Sequence, residues 1–145
     1  MSTQLLQQAL GYHQSGQYDT ARATYQVILS QEPHNADAHH LLGILEMQQG
    51  NSSRAIVHIE KAIALNPGNP SFQQNLGNAY KTLGQWEKAA KSWESALRLK
   101  PKDPDLLCNL AISMIARDDS ERAMELWKKA LKYEPNHLES LISMG

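Results

Sequence analysis

The sequence predicts an all-α fold, a solenoid of antiparallel helix pairs, and three observations predict it. Ala, Leu, Gln, Lys and Glu dominate the composition, Phe occurs once and runs of β-branched residues are absent, which favours helix over strand. Pro33, Pro67, Pro101 and Pro135 recur at a constant step of 34 residues. Small and large residues hold fixed columns at the same step, the signature of a repeat architecture.

The columns run through the whole chain. Ala21, Ala55, Ala89 and Ala123 keep step, as do the small residues Ala9, Gly43, Gly77, Ala111 and Gly145. Ala62, Ala96 and Ala130 form a third small column, with Ile28 in the first place. Tyr25, Ile59, Trp93 and Trp127 make a large apolar column, and Leu42, Leu76, Leu110 and Met144 another. Small columns let two helices approach closely, and large ones fill the space beside them.

Each unit reads as two helices. Asn35, Asn69 and Asp103 can N-cap the first helix of the second, third and fourth units. Pro70 and Pro104 follow two of these caps, where a missing N–H costs nothing. The first helix runs for about 14 residues to a break. Gly16, Gly50 and Gly84 mark that break, and Asp118 takes the place in the fourth unit. The second helix, as over 86–99, stops before the next proline. The register gives units 2–35, 36–69, 70–103 and 104–137, with 136–145 opening a fifth unit or a capping helix.

This pattern resembles the tetratricopeptide repeat (TPR) family over residues 2–135. The unit 70–101 carries it most fully, with Leu76-Gly77, Tyr80, Gly84, Ala89, Trp93, Ala96 and Pro101 all on the family pattern. Gln8 replaces the usual Leu in the first unit, and Glu46 the usual Tyr in the second. The resemblance implies a right-handed superhelix whose first helices line a concave groove that binds protein segments. On that mapping the groove takes Leu6, Leu10 and His13 from the first unit and His40, Leu41, Ile44 and Met47 from the second. The third unit contributes Gln74, Asn75, Asn78 and Lys81, and the fourth Cys108, Asn109 and Ile112.

Asn75 and Asn109 hold the same place in successive units, and Asn78 lies one turn beyond Asn75. An amide both donates and accepts, so it can pair with a peptide backbone without reading side chains. This ladder, in the strings Gln74-Asn75-Leu76-Gly77 and Cys108-Asn109-Leu110-Ala111, is similar to the TPR array of the O-linked N-acetylglucosaminyltransferase group. The apolar strip Leu6, Leu10, Leu41, Ile44 and Met47 suits an amphipathic partner segment, or packs between neighbouring first helices. A clamp for a C-terminal carboxylate is not expected. Leu6 and Leu10 stand where such TPR domains use Lys and Asn, and Ser71 and Asn75 stand at their later basic places; one unit later the frame gives His40, Ile44, Asp105 and Asn109, again with no cation for the carboxylate.

Other chemistries find little support. The 14 Lys+Arg against 15 Asp+Glu leave a net charge of −1, which disfavours nucleic acid. Lys81, Lys88, Lys91, Arg98, Lys100 and Lys102 are interrupted by Glu87 and Glu94 and read as a solvated face. No apolar run is long enough to insert in a membrane, and the N-terminus lacks the marks of a signal peptide. The six histidines show no i,i+4 pair, and no phosphate loop or nucleophile elbow is present, so no metal, cofactor or catalytic residue is expected. Cys108, the one cysteine, reads as a small apolar residue and points to a reducing, cytoplasmic compartment.

The expected function is therefore a non-enzymatic module that binds a protein or peptide, a scaffold or adaptor. One alternative is the substrate-recognition region of a larger transferase. The opening 9–18 and the string Ala38-His39-His40-Leu41-Leu42-Gly43 resemble TPR arrays of bacterial glycosyltransferases and sulfotransferases. Another is a self-assembling scaffold. Leu138, Leu141 and Ile142 would leave an apolar edge at the end of the chain, which predicts continuation of the natural chain or a homodimer through that edge.

Overall fold

The protein is described here by a computed structural model of residues 2–144. Every regular element among these residues is an α-helix. They divide into two units, one ending at Pro67 and the other beginning at Gly68. The first holds α1 (Ser2–Gln14), α2 (Tyr18–Gln31), α3 (Ala36–Gln48) and α4 (Ser52–Leu65). The second holds α5 (Pro70–Thr82), α6 (Trp86–Leu99), α7 (Pro104–Ala116), α8 (Ser120–Tyr133) and the short α9 (Leu138–Met144). Helix starts recur at the sequence period: Ser2, Ala36, Pro70, Pro104 and Leu138 are each 34 residues apart. Gly145, which closes one small column, lies outside the described residues.

Local chemistry sets these ends. Asn35 Oδ1 accepts the Ala38 N–H, Asn69 Oδ1 that of Ser71, and Asp103 Oδ1 those of Asp105 and Leu106. Each side chain satisfies donors that the first helical turn leaves open. Between the helices of a pair the chain closes as a Schellman motif. The Gln85 N–H bonds the Tyr80 carbonyl at 2.9 Å and the Gly84 N–H bonds that of Lys81 at 2.9 Å. The motif needs a left-handed residue. Gly16, Gly50 and Gly84 supply it at φ of 82°, 81° and 73°, and Asp118 adopts 64° in the fourth turn.

In the first unit Ala9, Ala21, Tyr25, Leu42 and Leu45 form a buried cluster. In the second, Trp93 packs with Ala89, Ala90, Ala96, Leu106 and Leu110, and Trp127 with Cys108, Ala111, Met114 and Ala123. Small columns thus set the helix separation while the aromatic column fills it. Gly43 and Gly77 are points of close approach, since a Cβ on Gly43 would stand 2.7 Å from Ile59 Cγ1.

Candidate partner-binding surface

In the first unit Leu6, Leu10, Leu41, Ile44 and Met47 are all half-buried. Leu6 and Leu41 lean on the Tyr25 cluster, so part of the apolar strip serves the core. His40 is half-buried too. Burial holds its imidazole below the usual histidine pKa, against a smaller upward pull from Asp37.

His13 is placed differently from its groove mapping. It is 9% exposed, and both ring nitrogens are engaged. The Tyr25 hydroxyl donates to Nδ1 at 3.0 Å, and Nε2 donates to Gln48 Oε1 at 2.6 Å. His13 therefore ties α1 to α2 and α3, with little ring left for a ligand. Burial raises the Tyr25 hydroxyl to about 12, keeping it a neutral donor.

In the second unit Gln74, Asn75 and Asn78 lie half-buried along α5, and Lys81 is exposed. Asn78 Nδ2 donates to Asn75 Oδ1 at 3.3 Å, which aligns the two amides. The Gln74 carbonyl accepts the Trp93 indole N–H at 3.2 Å, fixing this stretch of α5 on α6. On α7, Asn109 and Ile112 are half-buried, and Ile112 rests on the Trp127 cluster. The Asn109 side chain has no hydrogen-bond partner among the described residues. Cys108, mapped to the groove by register, is fully buried instead. Burial pushes its thiol up from the usual value, so it is not an activated nucleophile.

Two polar groupings escaped the sequence reading. Glu46, in the place of the family's Tyr, is 4% exposed. Arg22 donates to its Oε1 through Nε at 2.9 Å and Nη2 at 2.8 Å, and also reaches Gln49. Arg54 stands 3.7 Å from the other carboxylate oxygen. A buried carboxylate needs such a partner. The second grouping joins His137 to Asp105 at 2.6 Å, across 32 residues. The only trace of it in the sequence is that His137 stands in the cap column of Asn35, Asn69 and Asp103.

On α9, Leu138, Leu141 and Ile142 are 67%, 47% and 69% exposed. No helix among the described residues is long and apolar enough to cross a membrane.

The matched family profiles describe repeat domains. Residues 26–137 match the profile of the cytochrome c-type biogenesis protein H TPR domain, and residues 5–35 match that of the tetratricopeptide repeat. The beta-barrel assembly-enhancing protease of Yersinia pestis is 34% identical over 73 residues, 50% of this chain. The TPR repeat-containing protein PA4299 of Pseudomonas aeruginosa is 39% identical over 59 residues, 41% of this chain. The matches span 15% and 24% of those two proteins. Among solved structures, the MamA protein superposes with a TM-score of 0.85 at 24% identity, over 90% of this chain and 72% of that one. YrrB, titled a TPR protein with an unusual peptide-binding site, gives 0.85 at 19% identity, over 94% and 70%. At these identities the likeness is one of fold. With the 34-residue register, the paired helices and a family profile matched over residues 26–137, the chain belongs to the tetratricopeptide repeat family, in its cytochrome c-type biogenesis protein H TPR domain group.

Proposed function

We propose that this chain is a non-catalytic interaction module that binds an extended protein segment along the faces of its first helices. The observation that carries the reading is the set of half-buried amides Asn75, Asn78 and Asn109 on α5 and α7. Partial burial strengthens a hydrogen bond to a ligand, and amides can serve both the N–H and the C=O of a peptide. The exposed Lys81 lies at the end of the same face of α5. The first unit, taken by itself, offers the apolar side chains Leu10, Ile44 and Met47 on its first helices. The peptide-binding site named for YrrB supports the reading by analogy of fold. The test is affinity capture of partners on the purified chain and on the Asn75→Ala/Asn109→Ala variant, with helicity checked in both. A partner retained by the first and lost from the second supports the reading; equal retention of every partner counts against it.

A second reading is that the array is the recognition region of a larger enzyme. The similarity to a segment of a protease favours it, and the proteins that bind the purified array would then include substrates of that enzyme. A homodimer through Leu138, Leu141 and Ile142 is a further proposal, because a two-fold contact would bury like on like.

A further inference from the structure

Asp105, His137 and Glu139 present three metal-ligand atoms that all lie within 4.8 Å of one another. We propose that they form a binding site for a divalent transition cation of the Zn2+ type, one that joins the start of α9 to the start of α7.

The register explains how the group assembles. In the cap column, Asn35, Asn69 and Asp103 each spend their side chain on their own helix. His137 does the same with one nitrogen: Nδ1 accepts the Ser140 N–H at 3.3 Å. An imidazole has a second nitrogen, and Nε2 faces Asp105 Oδ1 at 2.6 Å. Glu139 follows Asp37, Ser71 and Asp105 in the 34-residue register, so the first turns of two successive first helices each supply a carboxylate.

The donor set has the chemistry of a transition-metal site. Two carboxylates balance a 2+ charge, and an imidazole selects against Mg2+ and Ca2+, which favour oxygen alone. His137 is 8% exposed, so its ring is fixed, whereas Asp105 and Glu139 are exposed and can adjust. Ser140 Oγ lies 2.7 Å from Nδ1 and is fully buried. Without metal the ring proton is on Nε2, since Nδ1 accepts the Ser140 N–H; with a cation on Nε2 that proton moves to Nδ1, where the Ser140 hydroxyl oxygen accepts it in place of the N–H contact. That is the outer-shell partner that ligating histidines ordinarily have. The cation would take the place of the Nε2 proton that faces Oδ1, and the two atoms would part to about 3.4 Å, as two bonds of about 2.1 Å at a tetrahedral angle require. A cavity of about 590 Å³ bordered by Asp103, Asp105 and Glu134 opens beside the site and leaves room for entry and for water ligands. The cations nearest to it are engaged elsewhere: Lys100 Nζ pairs with Asp103 at 3.2 Å, and Lys102 Nζ lies over the Tyr133 ring.

The experiment is calorimetric titration of the chelator-stripped full chain with ZnCl2, with MgCl2 in parallel, and CoCl2 absorption as a spectroscopic readout. One equivalent of Zn2+ should bind in the micromolar range and raise the melting temperature, since a ligand bound only by the folded state stabilises it. Mg2+ should bind far more weakly. Glu139 makes no hydrogen bond among the described residues, so Glu139→Gln should leave the metal-free melting temperature unchanged and weaken Zn2+ by at least about tenfold. His137→Asn keeps a capping side chain of the kind found at Asn35 and Asn69, and should abolish the visible Co2+ spectrum. No saturable Zn2+ binding below millimolar concentration would overturn the proposal. So would Zn2+ binding undiminished in both variants, which would place the ion on other histidines, or equal affinity for Mg2+.

Discussion

Trp93 covers Gly77 so closely that a Cβ at residue 77 would stand 2.3 Å from the indole Nε1 and 2.5 Å from Cδ1. The pair is a close approach of α5 to α6, and the same indole donates to the Gln74 carbonyl one turn away. The ring is fully buried and packed among Ala89, Ala90, Ala96, Leu106 and Leu110. Gly77→Ala should therefore cost about 1–3 kcal/mol by overpacking. Trp93→Ala should cost about 3–5 kcal/mol by leaving a cavity. Denaturant midpoints measure both. A negligible change for Trp93→Ala would mean that the helix faces are misassigned.

Asp118 bears a side chain where the other three turns use glycine at φ above 70°. The left-handed region crowds a Cβ against the backbone. Asp118→Gly should stabilise the second unit by up to about 1 kcal/mol. A melting temperature that falls would show that the Asp118 side chain contributes more than its backbone strain costs.

Glu46 depends on Arg22. Arg22→Ala would strip two charge-assisted hydrogen bonds from a buried carboxylate and leave only Arg54 at 3.7 Å. The expected loss is about 1.5–3 kcal/mol. Arg22→Ala combined with Glu46→Tyr, which restores the family residue, should recover most of it. Chemical denaturation of the single and double variants separates the two effects.

Stability should fall on mild acidification. Burial holds His58 below the usual histidine pKa, with smaller downward contributions from His39 and Lys61 against an upward one from Glu46, and burial does the same for His40. The unfolded chain therefore binds protons that the folded chain resists. This stability is fully present above the ordinary histidine value and is lost as pH drops through it toward the lowered folded values. The denaturation midpoint should be lower at about pH 5.5 than at about pH 7.5. His40→Gln/His58→Gln should flatten that slope, and an unchanged slope would point to other groups.

The exposed edge of α9 gives a test of self-association. Light scattering after gel filtration should report a dimer, and Leu141→Glu should convert it to monomer. A strictly monomeric chain at high concentration would remove the dimer proposal.

Elements with a periodic cause were the most legible in the sequence. The proline, glycine and alanine columns locate each helix pair, because packing repeats them wherever two helices meet at the same distance. Single side chains that depart from their column were not legible. His13 shares its place with Met47, Lys81 and Ile115, yet it alone is buried. The cause lies in another column: Tyr25 brings a hydroxyl where Ile59, Trp93 and Trp127 bring none. Arg22 and Glu46 are 24 residues apart, so a 34-residue register does not pair them. Cys108 shows the converse, since a small apolar residue at a face position is drawn into the gap beside Trp127. Asn75 and Asn109 were legible as a ladder by column, while the hydrogen bond from Asn78 to Asn75 was not.

The most direct test of the central claim is the dissociation constant of a captured partner segment for the native chain and for Asn75→Ala/Asn109→Ala. Each lost hydrogen bond is worth about 0.5–1.5 kcal/mol, so the double variant should bind about 5- to 150-fold more weakly. Its circular dichroism should stay unchanged and its denaturation midpoint should fall only slightly, because both amides are half-buried and Asn75→Ala gives up the hydrogen bond from Asn78. An unchanged dissociation constant for a segment that the native chain binds would contradict the amide-ladder account of this surface.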